Sequence, residues 1–342
     1  MIYGHLTSSG RVAIFTHQNP DGDALGSSLG LMGYLDGAGV DSTIFLPSAP
    51  PESLAFMLPE GVRERIVVWE ADRADGIAAA LSGCGLLVGL DFNNPGRIGD
   101  LAPYLEGFRG TRILIDHHVA PAVKYFDHVY SRQDVSSTCE LLYGILKGAP
   151  GVDGDCSRLN ALCRTSLLTG MTTDTNNFAN SVYPSTLMMA SELVAAGTDR
   201  DEVIRNLYFC YPLRRIQAQG YILDKMLHIT GDGVAYIVLD SATQQRFGLQ
   251  EGDTEGFVNI PLSINGVRMS IFLKEETAGS KIRVSIRSKK GTSARECALR
   301  YFNGGGHELA SGGKLTKGVD LPSVDDAAAY IEKCTHEFFS QR

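Results

Sequence analysis

The residues with chemistry to offer are His17, Asp21, Asp23, Asp91, Asp116, His117, His118 and Asp174. They fall in four segments. His17-Gln-Asn-Pro-Asp21-Gly-Asp23 follows the apolar run RVAIF, Asp91 follows LLVGL, Asp116-His117-His118 follows RILI, and Asp174 follows a further apolar stretch in Thr172-Thr173-Asp174-Thr175. Carboxylates and imidazoles without a thiolate select hard divalent ions, manganese or magnesium. His17, Asp21, Asp23, Asp91, His117 and Asp174 supply enough protein ligands for two ions that share one carboxylate. Their four Asp charges balance two divalent cations. Such a pair acidifies a shared water into a nucleophile and holds the oxygens of a phosphate. Without cations the carboxylates repel one another and their pKa values rise. Any one of these residues, taken singly, reads as a helix cap or a turn. Four of them at the ends of successive elements do not.

The elements around these segments alternate. Residues 11–15, 42–45, 65–68, 86–90 and 112–115 read as strands, several as continuous apolar runs of the kind buried in parallel sheets. Residues 23–35, 137–147 and 157–169 read as helices. This is the pattern of an α/β domain with a largely parallel sheet, in which ligands bind beyond the carboxyl ends of the strands. Residues 186–196, 200–208 and 212–226 read as helices. Residues 234–239, 258–262, 268–274 and 281–288 then read as strands, followed by helices over 293–302 and 324–339. The expected organisation is therefore a catalytic domain over 1–185, a helical linker over 186–228 and a smaller α/β domain over 229–342.

The length of 342 residues agrees with about two domains. With 44% hydrophobic and 20% charged residues the chain is globular in composition. A balance of 31 Lys+Arg against 39 Asp+Glu, net −8, is wrong for a nonspecific nucleic-acid coat, so contact with nucleic acid is expected to be local and restricted to short pieces. Seven scattered Cys without a C-x-x-C pair argue against a zinc ribbon or a disulfide framework and are expected to be small buried groups of a cytoplasmic protein. No apolar run reaches the length of a membrane span, and the first residues do not read as a signal peptide.

The second half carries its own candidate site. Gly304-Gly305-Gly306 lets a backbone approach a ligand and point N–H groups at an anion, His307 adds a switchable donor, and Arg287 offers a planar fork for phosphate. Arg97, Lys289 and Lys290 could add positive charge near the cleft, but a solvated surface role accounts for each at least as well, and they are left out of the site. Ser136-Ser137-Thr138 is read as the cap of the helix that follows it.

Together these motifs resemble the DHH phosphoesterase superfamily. HQNPDGDALGS from His17 resembles the family's first motif at nearly every position. Asp91 in LDFNNPGRIGD stands for the second, Asp116-His117-His118 for the third and Asp174 in MTTDTNNF for the fourth, all in order over the first half of the chain. Arg283-Val-Ser285-Ile-Arg287-Ser288, Asn303-Gly304-Gly305-Gly306-His307 and Ala310-Ser-Gly-Gly313 resemble the DHH-associated substrate-binding domain of the exonuclease-like branch. Length and linker are most similar to the nanoRNase and pAp phosphatase (NrnA-type) enzymes.

The resemblance implies hydrolysis of short oligoribonucleotides to mononucleotides and removal of a phosphate from 3′-phosphoadenosine 5′-phosphate (pAp). It implies two divalent cations, Mn²⁺ first, with Mg²⁺ or Co²⁺ as substitutes. His17 and Asp21 would hold one ion, Asp23, His117 and Asp174 the other, and Asp91 would bridge them. His118 would face the scissile phosphate as a ligand or proton donor, and Asp116 would orient the histidines. Asn176 and Phe178-Ala-Asn180 depart from the family pattern, which bears on secondary substrate contacts. A cyclic or linear dinucleotide phosphodiesterase (cyclic di-AMP or pApA) is the alternative within the superfamily, and a non-catalytic nucleotide sensor is the alternative outside catalysis. A homodimer is compatible with the sequence, and no membrane partner is expected.

Overall fold

The apolar runs at 12–15, 42–46, 86–90 and 113–116 become neighbouring strands because their side chains are buried on both faces of one sheet. In the computed structural model, residues 2–250, 252–276 and 279–340 are described. The chain divides into two compact units, Met1–Cys210 and Tyr211–Arg342.

The first unit runs α1 (Ile2–Ser8), β1 (Arg11–Phe15), α2 (Gly22–Gly37), β2 (Ser42–Leu46), β3 (Ile66–Val68), α3 (Ala74–Ser82), β4 (Cys84–Leu90), α4 (Ala102–Gly107), β5 (Thr111–Asp116), β6 (His128–Ser131), α5 (Thr138–Lys147), α6 (Ala161–Asp174), α7 (Pro184–Ala195) and α8 (Arg200–Tyr208). Its six strands form a parallel sheet in the order β3-β2-β1-β4-β5-β6. The order reverses at β1, which pairs Val12 with Ser42 of β2 on one side and with Leu86 of β4 on the other. That reversal opens a crevice at the carboxyl ends of β1 and β4. Alternation of side chains splits the core between the two faces. Ile14, Val88 and Ile113 join Leu25, Leu29 and Met32 of α2 on one face, while Phe15, Leu87 and Leu114 join Ile98, Leu101 and Phe126 on the other.

Helices α2 and α6 lie antiparallel and unusually close. A Cβ on Gly26 would stand 2.6 Å from the Ser166 carbonyl oxygen, and one on Gly33 would stand 2.7 Å from the Cys163 nitrogen. Glycine at these positions lets the two backbones touch, which brings the first turn of α2 beside the last turn of α6. Asp23 and Asp174 sit on those two turns.

The second unit contains α9 (Leu213–Lys225), β7 (Leu227–Ile229), β8 (Val234–Leu239), α10 (Ser241–Phe247), β9 (Met269–Glu275), β10 (Lys281–Ser288), α11 (Ala294–Tyr301), β11 (Gly305–Gly306), β12 (Ala310–Thr316) and α12 (Ala327–Ser340). Its sheet, in the order β11-β12-β10-β9-β8-β7, is mixed: β8 and β9 are parallel and the other pairs antiparallel.

Three expectations change. Residues 258–262 are not a strand but part of a 3-10 helix, Phe257–Ser263. Gly256 at φ 81° turns the chain into it, and Pro261 has no N–H to give a ladder. The apolar alternation there serves burial of Phe257 and Val258 on a turn. The helix expected over 157–169 starts later, where the Asn160 side chain accepts from the Cys163 N–H at 2.8 Å, and runs on so that Asp174 is its last residue. The stretch 186–228, expected as a linker, is shared out. Helices α7 and α8 belong to the first unit, α7 being held by Thr186 Oγ1 donating to Glu140 at 2.6 Å and by the Lys147–Glu192 ion pair, while α9 belongs to the second.

Replacing Gly26 with Ala is expected to destabilise the first unit by about 1–3 kcal/mol, since the new methyl meets backbone rather than a movable side chain. Gly37→Ala, whose Cβ meets nothing within 4 Å, is expected to be neutral or slightly stabilising. Thermal unfolding of the two variants side by side checks the contrast.

Candidate metal centre

Strand ends place the donors. β1 ends at Phe15, and the chain then passes through His17 into Asp21, the N-cap of α2. The Asp21 Oδ1 accepts from the Asp23 and Ala24 N–H groups, both at 3.0 Å. β4 ends at Leu90, and Asp91 turns out of the strand with φ 62°, a left-handed conformation that Asp tolerates better than most side chains. β5 ends at Asp116, which puts His117 and His118 just outside the sheet. Asp174 arrives from the end of α6.

The six expected ligands gather into two overlapping groups. In the first, His17 Nε2 lies 3.7 Å from Asp21 Oδ1 and 3.4 Å from Asp91 Oδ2. In the second, His117 Nε2 lies 3.9 Å from Asp23 Oδ2, 3.6 Å from Asp91 Oδ1 and 3.6 Å from Asp174 Oδ2. Asp91 belongs to both groups and turns a different oxygen to each. His17, Asp23, Asp91 and His117 are buried, whereas the Asp21 side chain is about half exposed.

Around these donors stands a second ring of contacts. The N-terminus of α5 receives Asp23: the Thr138 N–H donates to Oδ2 at 2.7 Å and the Cys139 N–H to Oδ1 at 2.9 Å. The Thr138 hydroxyl donates to Asp91 Oδ1 at 2.9 Å. Ser137 does cap α5, accepting from the Glu140 N–H at 3.0 Å, as the sequence indicates. The grip of this helix end on two carboxylates lies beyond what capping predicts. Fully buried Asp116 accepts from His118 Nδ1 at 2.7 Å. Arg97, left out of the site on sequence grounds, places Nη1 2.8 Å from His118 Nε2.

The electrostatics call for positive charge. Burial works against a charged His17, but the Asp21 and Asp91 carboxylates outweigh it and raise its pKa to about 10. Burial, and after it the Asp91 charge, pushes Asp23 well above the usual carboxylate range. Burial also raises Asp91, yet the surrounding histidines win and hold it below that range. Burial keeps His117 below the ordinary imidazole value, so its ring is neutral near pH 7. The donors fit a pair of divalent cations on geometry as well. His17 Nδ1 donates to the Gln18 carbonyl at 3.0 Å, which aims Nε2 at two carboxylates, and that buried Nε2 has no hydrogen-bond partner. The gaps are too long for hydrogen bonds and short enough for an ion to span.

The expected substrate residues lie in the second unit. Arg287 on β10 pairs across the sheet with Ala310 of β12, and its Nη1 donates to the Ile286 carbonyl at 3.0 Å. Gly305 and Gly306 form β11 at the sheet edge, and His307 begins the turn back into β12. Gly304 differs from expectation. Its N–H is taken by the Ala298 carbonyl at 3.2 Å, and a Cβ there would stand 1.9 Å from the Gly312 carbonyl oxygen, so packing alone requires glycine. Among the cysteines, Cys210 is exposed and Cys84 half-buried; Cys139, Cys156, Cys163, Cys297 and Cys334 are buried as expected.

Residues 11–171 match the DHH family, N-terminal domain, and residues 231–337 match the DHHA1 domain. The chain is 32% identical to the bifunctional oligoribonuclease and PAP phosphatase NrnA of Thermus thermophilus, over 91% of this chain and 86% of that protein. It belongs to the DHH family. A DHH protein of the same name from Bacillus subtilis is 28% identical over 89% of each chain. The crystal structure of an exopolyphosphatase-related protein from Bacteroides fragilis superposes with a TM-score of 0.87 at 32% identity, covering 97% of this chain and 94% of that one. The DHH match spans β1 to α6 and so takes in the donor-bearing strand ends.

Two outcomes follow from the donor geometry. A cation entering beside His17 must displace the proton that its raised pKa retains, so Mn²⁺ binding near pH 7.5 is expected to release protons and to tighten as pH rises toward about 10. Calorimetry in buffers of different ionisation enthalpy measures the release. Thr138→Val, which keeps shape and removes the hydroxyl from Asp91, is expected to weaken Mn²⁺ binding about 10- to 100-fold with little change in melting temperature.

Proposed function

We propose that this chain is a cation-dependent phosphoesterase that hydrolyses short oligoribonucleotides to mononucleotides and dephosphorylates pAp. The observation that carries the reading is the pair of donor groups sharing Asp91, found at the carboxyl ends of parallel strands in a chain whose relatives are named for both activities. His17 and Asp21 would hold one cation and Asp23, His117 and Asp174 the other, with Asp91 shared between them. Two bound cations supply an acidified water and offset the charge gathering on a phosphate under attack. The protein's part is to fix the carboxylates. Backbone amides of α5 hold Asp23, the Thr138 hydroxyl holds Asp91, and Asp116 fixes the ring of His118. Mn²⁺ is the proposed native ion, with Mg²⁺ or Co²⁺ as substitutes, in keeping with an all-oxygen-and-imidazole donor set. In the second unit Arg287, Gly305, Gly306 and His307 are the proposed nucleotide contacts, while Gly304 shapes the strand that presents them.

The proposed setting is the cytoplasm; no helix among the described residues is long and apolar enough to cross a membrane. A homodimer is proposed through the open edge of β6, supported by exposed Met188 on α7 near that strand.

Purified protein loaded with Mn²⁺ is expected to convert di- to pentaribonucleotides to mononucleotides and to release phosphate from pAp faster than it opens cyclic di-AMP. Asp91→Ala is expected to lose both activities together with bound metal. Turnover of neither substrate by metal-loaded protein, or unchanged turnover by Asp91→Ala, would sink the reading.

A further inference from the structure

Nothing in the run LDFNNPGRIGD marks Arg97 apart from other surface arginines; its surroundings do. It sits on the 3-10 turn Pro95–Leu101 that follows Asp91. The turn is built by Asn94, whose side chain accepts from the Gly96 N–H at 2.9 Å and whose carbonyl accepts from the Arg97 N–H at 3.1 Å. The Arg97 carbonyl in turn accepts from the Gln18 N–H at 2.7 Å, next to His17. The backbone of Arg97 is thus tied to both donor-bearing loops.

Its side chain is held by an uncommon partner. Nη1 stands 2.8 Å from His118 Nε2. A guanidinium has five N–H donors and no acceptor, so in this contact His118 Nε2 is the acceptor and carries no proton. The ring proton is then on Nδ1, donated to buried Asp116 at 2.7 Å. Asp116, His118 and Arg97 form one directed chain, each ring or fork fixed by the one behind it. No carboxylate lies within ion-pair distance of Arg97 among the described residues, although aspartates crowd the adjoining site. A guanidinium held by a neutral imidazole keeps its full charge and four of its N–H donors for another anion.

We propose that Arg97 binds a phosphate group of the nucleotide substrate, and that His118 is the residue that positions it. The inference rests on the phosphoesterase reading and deepens it. It assigns the phosphate contact to Arg97, whose fork stands against His118 Nε2 at 2.8 Å.

The test compares wild type with Arg97→Ala and Arg97→Lys, with bound Mn²⁺ measured in each preparation. On pAp and on diadenylate, Arg97→Ala is expected to raise KM about tenfold or more at unchanged metal content, and Lys, lacking the planar fork, to restore only part of it. Nitrogen NMR of ¹⁵N-histidine-labelled protein is expected to show His118 protonated on Nδ1, with its Nε2 resonance moved in Arg97→Ala. KM and kcat within twofold of wild type in Arg97→Ala, or a proton on Nε2 of His118, overturns the proposal. If metal-loaded wild type turns over neither substrate, the phosphoesterase reading fails separately. Titration of wild type and Arg97→Ala with inorganic phosphate then decides this proposal alone: equal affinity overturns it, and an affinity loss of about tenfold sustains it.

Discussion

Mutual repulsion between carboxylates is the constraint on which the first unit is organised. Asp23, Asp91 and Asp116 are buried, and Asp21 and Asp174 adjoin them at the same sheet edge. Bringing such charges together out of water is costly unless each finds a donor or a cation. Each answer here is different. Asp23 faces two amides at the positive end of α5, where the helix dipole adds to the hydrogen bonds. Asp116 accepts a hydrogen bond from His118 Nδ1. Asp91 has a threonine hydroxyl and the edges of three imidazoles, and it departs from ordinary backbone geometry to reach them. Asp91 is the member common to both donor groups.

Closeness of α2 and α6 is what allows the fourth segment to take part. The three other segments leave adjacent strands, so the sheet places them together. Asp174 does not leave a strand, and its position depends on how near a helix packed on one face can bring its last turn. Glycines spaced along α2 remove the side chains that would keep α6 at ordinary distance. The GDALGSSLG run therefore does two jobs: its first residues supply carboxylates to the cluster, and its glycines set the spacing that brings Asp174 beside them.

Much of this was legible in the residue order because the signals were local. An apolar run ending in Asp or His reads directly as a donor at a strand end, and all six expected ligands are brought together. What the sequence left hidden is carried by backbone or by tertiary pairing. The amides of Thr138 and Cys139 have no residue signature, since any non-proline residue supplies an N–H. Arg97 looks like any surface arginine until the turn that carries it is closed onto His118. Strand β12, Ala310–Thr316, is rich in glycine and serine, so no hydrophobic periodicity announces it; its partner β10 determines it. The 3-10 helix Phe257–Ser263 failed in the opposite direction: its alternation is strand-like, and Pro261 was the contrary sign.

Adjacent histidines with different duties show how little residue type alone decides. His117 and His118 both follow β5, and their rings stand edge to face at 4.7 Å. His117 turns Nε2 toward three carboxylates, and burial keeps it uncharged, the state in which an imidazole can give a lone pair to a cation. His118 also has a lone pair on Nε2, but a guanidinium already occupies it. The difference arises at the strand end. Asp116, the last residue of β5, reaches His118 two positions on, and that hydrogen bond holds Nδ1 at the carboxylates and leaves Nε2 facing the turn that bears Arg97. Aspartate before the two histidines therefore makes them unlike: one ring faces three carboxylates, and the other lies between Asp116 and Arg97.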